Sequence, residues 1–150
     1  MGRVRDLVAK RKNHETFFIN ENDNVRDAIR SMAKLGVGAI GVVGESKQLV
    51  GIFSERDLSR RVVLEGCDPD TTKIKDVMTR TIVAVGMDDD LEQCQSTMFQ
   101  AGIRHLAVVE GSNFRGLLSL RDFLHHDVAE KEDTIRYLKD YLFYVPDDAL

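Results

Sequence analysis

The fold is decided by the stretch Gly51-Ile-Phe-Ser-Glu-Arg-Asp-Leu58, which returns later in the chain as Gly116-Leu-Leu-Ser-Leu-Arg-Asp-Phe123. The two copies lie 65 residues apart, and their glycine, serine, arginine and aspartate are identical. Three of the remaining four positions are apolar in both copies. Because an ordered match at a constant spacing is the signature of duplication, the sequence predicts an internal repeat.

The match continues upstream of both motifs at a spacing of 66 residues. The identical pairs there are Met32 and Met98, Gly36 and Gly102, Val42 and Val108, and Val43 and Val109. The change of spacing falls in the polar segment 44–47, and a surface turn accommodates one residue more or less at little cost. We predict a first repeat over residues 1–66, a second repeat with its linker over 67–128, and a helical tail over 129–150.

Composition places the chain among ordinary globular proteins. It has 150 residues, of which 43% are hydrophobic and 31% are charged, which is enough for a substantial core. No apolar run approaches the roughly 18 residues of a membrane helix, and the first residues lack the apolar centre of a secretion signal. We therefore expect a cytoplasmic protein without a membrane partner. The net charge of -4 argues against a general nucleic-acid surface, although the first dozen residues are basic.

Cysteine and histidine usage predicts no metal site. Cys67 and Cys94 form no C-x-x-C pair, and Cys94 falls on the apolar face of a predicted helix, where a buried free thiol is usual. Free thiols fit a reducing compartment. His125 and His126 are adjacent, so on a helix they point about 100° apart and are poorly placed to share zinc.

Hydrophobic periodicity predicts the order strand, helix, strand, strand, helix in each repeat. In the first repeat the strands are expected at 16–19, 39–43 and 48–53, and the helices at 25–35 and 54–65. Their counterparts are strands at 82–85, 105–109 and 114–118, and helices that begin near 91 and 119. Shorter helices are expected within 3–12, at 73–78 and over 134–144. We predict an α/β (α+β) fold in which two β-α-β-β-α repeats pack sheet to sheet about a pseudo-twofold axis.

Each motif admits two interpretations from its residues alone. Ser54 and Asp57, like Ser119 and Asp122, have the spacing of a helix capping box, in which serine and aspartate bond each other's backbone amides. A helix start with free amides is also a phosphate site, and an aspartate one turn into the helix can accept two ribose hydroxyls. The capping interpretation does not require a glycine and an arginine in both copies.

The whole arrangement resembles a tandem pair of cystathionine-β-synthase-type (CBS) domains, the Bateman module. The resemblance covers about residues 3–128. Besides the two motifs, it rests on the runs Val37-Gly-Ala-Ile-Gly-Val-Val43, Ile103-Arg-His-Leu-Ala-Val-Val109 and Ile74-Lys-Asp-Val-Met-Thr79. It implies a stand-alone regulatory protein whose clefts bind adenosine-containing ligands such as AMP, ADP, ATP, NAD(H) or S-adenosylmethionine. It also implies a homodimer through the helices and a regulated protein partner of unknown identity.

Carried over residue by residue, the resemblance implies two clefts in which serine meets phosphate, aspartate meets the ribose hydroxyls and a strand backbone meets adenine. The first cleft takes Ser54, Asp57, Thr81, Ile82, Val83, Arg104 and His105. The second cleft takes Ser119, Asp122, Thr16, Phe17, Phe18, Gly38 and Ala39. Arg56 and Arg121 either reach phosphate, form a salt bridge or face a dimer partner.

The two clefts differ in charge. Arg104 and His105 offer cationic or donor groups to the first cleft, whereas Gly38 and Ala39 offer neither to the second. We predict that the first cleft prefers the more phosphorylated ligand, through charge-assisted hydrogen bonds of about 1.5–3 kcal/mol. Alternatively, Arg104 is a surface arginine and His105 a satisfied, half-buried histidine.

The leading hypothesis is a nucleotide-sensing regulatory module that needs no cofactor for its own activity. The alternatives are a protein-interaction scaffold whose clefts stay empty, and a sensor of S-adenosylmethionine. We do not expect an enzyme, because the sequence offers no catalytic triad, metal cluster or paired catalytic carboxylates.

Overall fold

The structure, a computed structural model, describes residues 2–10, 17–128, 138–140 and 142. Its helices are α1 (Val4–Ala9), α2 (Val25–Leu35), α3 (Glu55–Asp57), α4 (Leu91–Ala101) and α5 (Leu120–Val128). Its strands are β1 (Phe18–Asn20), β2 (Ala39–Val43), β3 (Leu49–Ser54), β4 (Ala84–Gly86), β5 (His105–Glu110) and β6 (Asn113–Ser119). The helix predicted over 134–144 falls mostly outside the described residues. None of the described helices is long and apolar enough to cross a membrane.

Each repeat contains one three-stranded sheet, with the strand orders β1-β2-β3 and β4-β5-β6. In both sheets the first two strands are parallel and the last two antiparallel. Even the irregularity is duplicated, since the hairpin register shifts after Val42 in one sheet and after Val108 in the other. The predicted fold class and internal repeat are therefore confirmed.

The helix between the first two strands also follows the prediction in both repeats. Asn24 caps α2 by accepting a hydrogen bond from the amide of Asp27 at 2.9 Å, and Gly36 ends the helix with a left-handed φ of 68°. Asp90 and Gly102 do the same for α4, where the φ of Gly102 is 65°. Cys94 is buried as a free thiol, as expected.

Two predicted elements have different bounds. The first strand of the second repeat begins at Ala84, so Ile82 and Val83 precede it, although the carbonyl of Val83 still accepts from the Ala107 amide at 3.0 Å. The helix after the first motif is α-helical for only one turn. It continues over Leu58–Val63 as a π-helix, whose wider turns pair the Leu64 amide with the carbonyl five residues back.

Each apolar core is completed by a segment from outside its own repeat. Val4 and Leu7 of α1 are buried in the core of the second repeat. Ile74, in a 3₁₀ turn spanning Ile74–Asp76, is buried with Val77 and Met78 in the core of the first repeat. The two segments, 4–8 and 74–78, read Val-Arg-Asp-Leu-Val and Ile-Lys-Asp-Val-Met, a match that the analysis at spacings of 65 and 66 missed. This exchange of segments ties the two repeats together.

The two sheets meet through β2 and β6. The ring of Phe114, which is buried, lies directly over Gly41, where an added Cβ atom would overlap the ring. The glycine is therefore required by the close approach of the two sheets.

Candidate functional site

The first motif forms a complete capping box at the junction of β3 and α3. The Asp57 carboxylate accepts from the Ser54 amide at 3.0 Å, and the Ser54 hydroxyl accepts from the Asp57 amide at 3.3 Å. The capping interpretation is thus confirmed for this motif.

Two further residues hold the same carboxylate. The Thr79 hydroxyl donates to Oδ1 of Asp57 at 2.8 Å, and Nε of Arg61 lies 3.7 Å from that oxygen. Arg61 also donates to the carbonyl of Met78 at 2.6 Å. Asp57 is only 5% exposed, so both of its oxygens are engaged and little of its surface is open to a ligand.

Packing explains the glycine of the first motif. Thr79 pairs with Ile52 through two backbone hydrogen bonds of 2.9 Å and crosses directly over Gly51. A Cβ atom at Gly51 would lie 2.6 Å from the Met78 sulfur and 2.9 Å from the Thr79 carbonyl oxygen. The glycine at 51 therefore has a structural cause, and its presence does not by itself favour a ligand site. Gly116 has a different cause, because its φ of 128° disfavours any other residue.

The second motif has the same capping bonds in a more open setting. The Asp122 carboxylate accepts from the Ser119 amide at 2.7 Å, and the Ser119 hydroxyl accepts from the Asp122 amide at 3.2 Å. Asp122 is half-buried rather than buried. The residues that align with Thr79 and Arg61 are Ala9 and His126, so the second carboxylate lacks the bracing found in the first repeat.

The first amide of each motif helix is already bonded within the protein. The Glu55 amide donates to the Gly38 carbonyl at 3.0 Å, and the Leu120 amide donates to the Arg104 carbonyl at 3.0 Å. The amides expected to hold phosphate are thus engaged at this position in both repeats. Phosphate recognition would depend on side chains such as Arg56 and Arg121, which are both exposed.

A pocket of about 460 Å³ lies where the first repeat meets the second motif. It is lined by Ile29, Met32, Ala33, Gly36, Val37, Gly38, Glu55, Leu58 and Arg121. The first eight residues belong to the first repeat, and only Arg121 comes from the second. The pocket combines a mostly apolar lining with one carboxylate and one guanidinium, and it brings together Gly38 and Arg121, which we predicted on the same side.

The other predicted site residues are not part of this pocket's lining. Phe17 and Phe18 are exposed at the edge strand β1, Ala39 is buried at the start of β2, and Thr16 lies outside the described residues. Thr81 is exposed, while Ile82 and Val83 are half-buried ahead of β4. Three residues that the sequence analysis did not assign to a site, Thr79, Arg61 and Glu55, are prominent in the structure.

His105 is placed between charges from both repeats. Burial lowers its pKa below the usual 6.5, and the positive charge of Arg104 lowers it further, whereas the carboxylates of Asp122 and Glu55 act to raise it. Because the net effect lowers the pKa, the imidazole is mainly neutral at pH 7. His105 can therefore offer a hydrogen-bond donor but not a full charge, and Arg104 alone provides the cation expected at this position. Within the described ranges, no group of three histidine, cysteine or acidic side chains could hold a metal ion.

Comparison with known proteins identifies the repeats. The family model of the CBS domain matches residues 4–64 and again 74–129. The mitochondrial CBS domain-containing protein CBSX3 of Arabidopsis thaliana is 31% identical over 125 residues, which are 81% of this chain and 61% of that protein. The chain thus spans less than two thirds of the length of this relative.

Solved structures agree with this assignment. A CBS-domain protein of Burkholderia ambifaria superposes with a TM-score of 0.80 at 30% identity, over 87% of this chain and 96% of that one. The CBS domain pair of protein MJ0100, solved with 5′-methylthioadenosine and S-adenosylmethionine, has the same fold, with a TM-score of 0.76 at 18% identity over 87% of this chain and 99% of that one. The resemblance inferred from the motifs is confirmed: the chain belongs to the CBS domain family, whose domain pairs are regulatory modules that bind ligands.

Proposed function

We propose that this chain is a regulatory module that binds one adenosine-containing small molecule between its two repeats, on the side of the second motif. The observation that carries the proposal is the pocket of about 460 Å³ that Gly38 of the first repeat shares with Arg121 of the second. Its volume lies within the range of small-molecule sites, and its mostly apolar lining with two charged groups is typical of them. The CBS pair of MJ0100, solved with two adenosine compounds, supports this ligand class.

The accessibility of the two aspartates favours the second motif over the first. Asp57 is 5% exposed and is held by Ser54, Thr79 and Arg61, so a ribose would have to displace one of these partners. Asp122 is half-buried and lies near His105, whose pKa it raises. We therefore assign the ribose contact to Asp122 and the contact with a charged 5′ group to Arg121.

The remaining residues of the second cleft fit this assignment. Phe17 and Phe18 expose part of their rings on β1, where adenine could stack, and Phe18 lies opposite Gly41 of the neighbouring strand β2. Ser119 completes the site at the start of α5. The first cleft, with Thr81, Ile82 and Val83, stays a prediction.

A thermal-shift and calorimetric screen with AMP, ADP, ATP, NADH, S-adenosylmethionine and 5′-methylthioadenosine tests the proposal. A ligand at 100 times its Kd stabilises the folded chain by about 2.7 kcal/mol. For a chain of this size we expect a rise in Tm of roughly 5–10 °C.

The matched variants are Asp122→Ala and Asp57→Ala, each measured at a temperature where its own chain is folded. We expect Asp122→Ala to lose at least tenfold in affinity and Asp57→Ala to retain most of it. Equal binding by wild type and Asp122→Ala would overturn the assignment, and no shift with any adenosine compound would overturn the function.

A second candidate is a protein-interaction scaffold with empty clefts, and one observation favours it. Both capping boxes are complete without a ligand, while Phe99 is 87% exposed on α4 and Leu64 is 77% exposed after the π-helix. Exposed large apolar side chains on helices suit a protein contact. A homodimer through these helices is compatible with either candidate, as are a cytoplasmic location and an unidentified regulated partner.

Sedimentation of the wild type and of Phe99→Ser tests the dimer. We expect a dimer that Phe99→Ser weakens, with the exposed Leu142→Ser as the matched control. A monomeric wild type at 100 times the working concentration would remove the homodimer from the proposal.

A further inference from the structure

The motif residue that differs most between the repeats lines the pocket. Position 55 is glutamate, and its counterpart is Leu120. The opposite difference occurs at the loop that faces each motif helix, where the first repeat has Gly38 and the second has Arg104. The first repeat therefore contributes an anion to the region between the repeats, and the second repeat contributes a cation.

The position of the Glu55 carboxylate is fixed by its surroundings. The Glu55 amide is bonded to the Gly38 carbonyl at 3.0 Å, which anchors the residue at the start of α3. Its carboxyl carbon and one carboxylate oxygen would each lie 3.6 Å from a Cβ atom built on Gly38, so the acidic group lies against the glycine. The missing side chain at Gly38 leaves room for this carboxylate at the pocket.

The carboxylate faces the groups that would otherwise attract phosphate. Glu55 and Arg121 line the same pocket, and the field of Glu55 reaches His105, which lies beside Arg104. Because like charges at these distances repel, a fixed carboxylate here opposes a ligand group that carries several negative charges. Arg121 alone can balance a single charge.

We propose that Glu55 is a specificity-determining residue that excludes polyphosphate from this pocket and leaves it for an adenosine ligand whose 5′ group is neutral, zwitterionic or weakly charged. This inference rests on the proposed adenosine function and adds to it the charge class of the ligand. It also replaces the expectation of a preference for highly phosphorylated ligands with the opposite preference on the side of the second motif.

The test compares three probes by calorimetry on the whole chain without divalent cations: 5′-methylthioadenosine, AMP and ATP. The variant is Glu55→Gln, which removes the charge and keeps the shape. Glu45→Gln is the matched control, because Glu45 is exposed in the hairpin turn and changes the net charge equally. We expect Glu55→Gln to raise ATP affinity about tenfold, AMP affinity less, and 5′-methylthioadenosine affinity not at all.

Two outcomes would overturn the inference while leaving the function intact. One is an unchanged ratio of ATP to 5′-methylthioadenosine affinity in Glu55→Gln, and the other is an equal gain in Glu45→Gln. If none of the three probes binds to the wild type, the proposed function fails and this inference fails with it.

A measurement without ligand checks the geometry. Since Glu55 acts to raise the pKa of His105, Glu55→Gln should lower that pKa further in an NMR titration, whereas Glu45→Gln should not. An unmoved His105 titration in Glu55→Gln would contradict the proposed reach of the carboxylate.

Discussion

The two motifs have the same sequence pattern and the same capping bonds, but they differ in what surrounds the aspartate. In the first repeat Thr79 and Arg61 brace the carboxylate and bury it, and Gly51 is glycine because the linker crosses above it. In the second repeat the aspartate is half-buried, and the aligned positions hold Ala9 and His126. The comparison teaches that one duplicated motif can stabilise the fold in one copy and remain accessible to a ligand in the other.

The largest effect should come from removing the two aspartates separately. Asp57→Ala leaves the Ser54 amide, the Thr79 hydroxyl and the nearby Arg61 without their acceptor, so we expect a loss of about 3 kcal/mol in the free energy of unfolding. Asp122→Ala should cost about 1 kcal/mol, the usual cost of a lost cap. Urea unfolding of both variants provides the measurement. Equal losses would remove the distinction between the repeats.

A steric variant tests the crossing of the linker over β3. Gly51→Ala places a Cβ atom against the Thr79 carbonyl, which is backbone and cannot move aside easily, so we expect a loss of about 2 kcal/mol. Gly38→Ala is the matched control, because its added atom would lie at an ordinary contact distance of 3.6 Å from Glu55. Thermal unfolding that shows Gly51→Ala as stable as Gly38→Ala would contradict the observed packing.

A single hydroxyl sharpens the comparison further. Thr79→Val keeps the shape of the side chain and removes the 2.8 Å hydrogen bond to Asp57, so we expect a loss of about 1–2 kcal/mol. In a double-mutant cycle with Asp57→Ala the two losses should not add, because they share one bond. Full additivity would show that the hydroxyl contributes independently of Asp57.

The smallest effect concerns pH. Because burial lowers the pKa of His105 below 6.5, the unfolded chain binds this proton more readily than the folded chain. The contribution is therefore fully present above pH 6.5 and is lost as the pH falls through the window between that value and the lower pKa of the folded state. The difference in stability between wild type and His105→Gln should change in the same window. A constant difference from pH 5 to 8 would contradict the lowered pKa.

The sequence was sufficient to predict the repeat, the strand order and the helix caps, because each depends on local periodicity or on a motif present twice. It did not reveal the exchange of segments between the cores. The match between residues 4–8 and 74–78 covers only five positions and lies at a spacing of 70, so the search at 65 and 66 passed over it. The first strand of the second repeat was also placed two residues early, since apolar residues ahead of a strand resemble the strand itself.

The site was harder to predict for a physical reason. The bond between Thr79 and Asp57 joins residues 22 positions apart, and no local pattern encodes it. Arg61, by contrast, stands four residues after Asp57 in a helix, where an ion pair could have been expected from spacing alone. Glu55 was visible in the quoted motif as the one position that is charged in one copy and apolar in the other. The predicted ligand contacts of Ser54 and Ser119 stay predictions.

The most direct test of the central claim is a map of backbone amide shifts by NMR as 5′-methylthioadenosine or AMP is added to the whole chain. The account predicts that the largest shifts fall on residues 36–38 and 119–122, on either side of the pocket, with smaller shifts around Asp57. Saturable shifts centred on Ser54, Asp57 and Thr79 instead, with residues 119–122 unmoved, would contradict it.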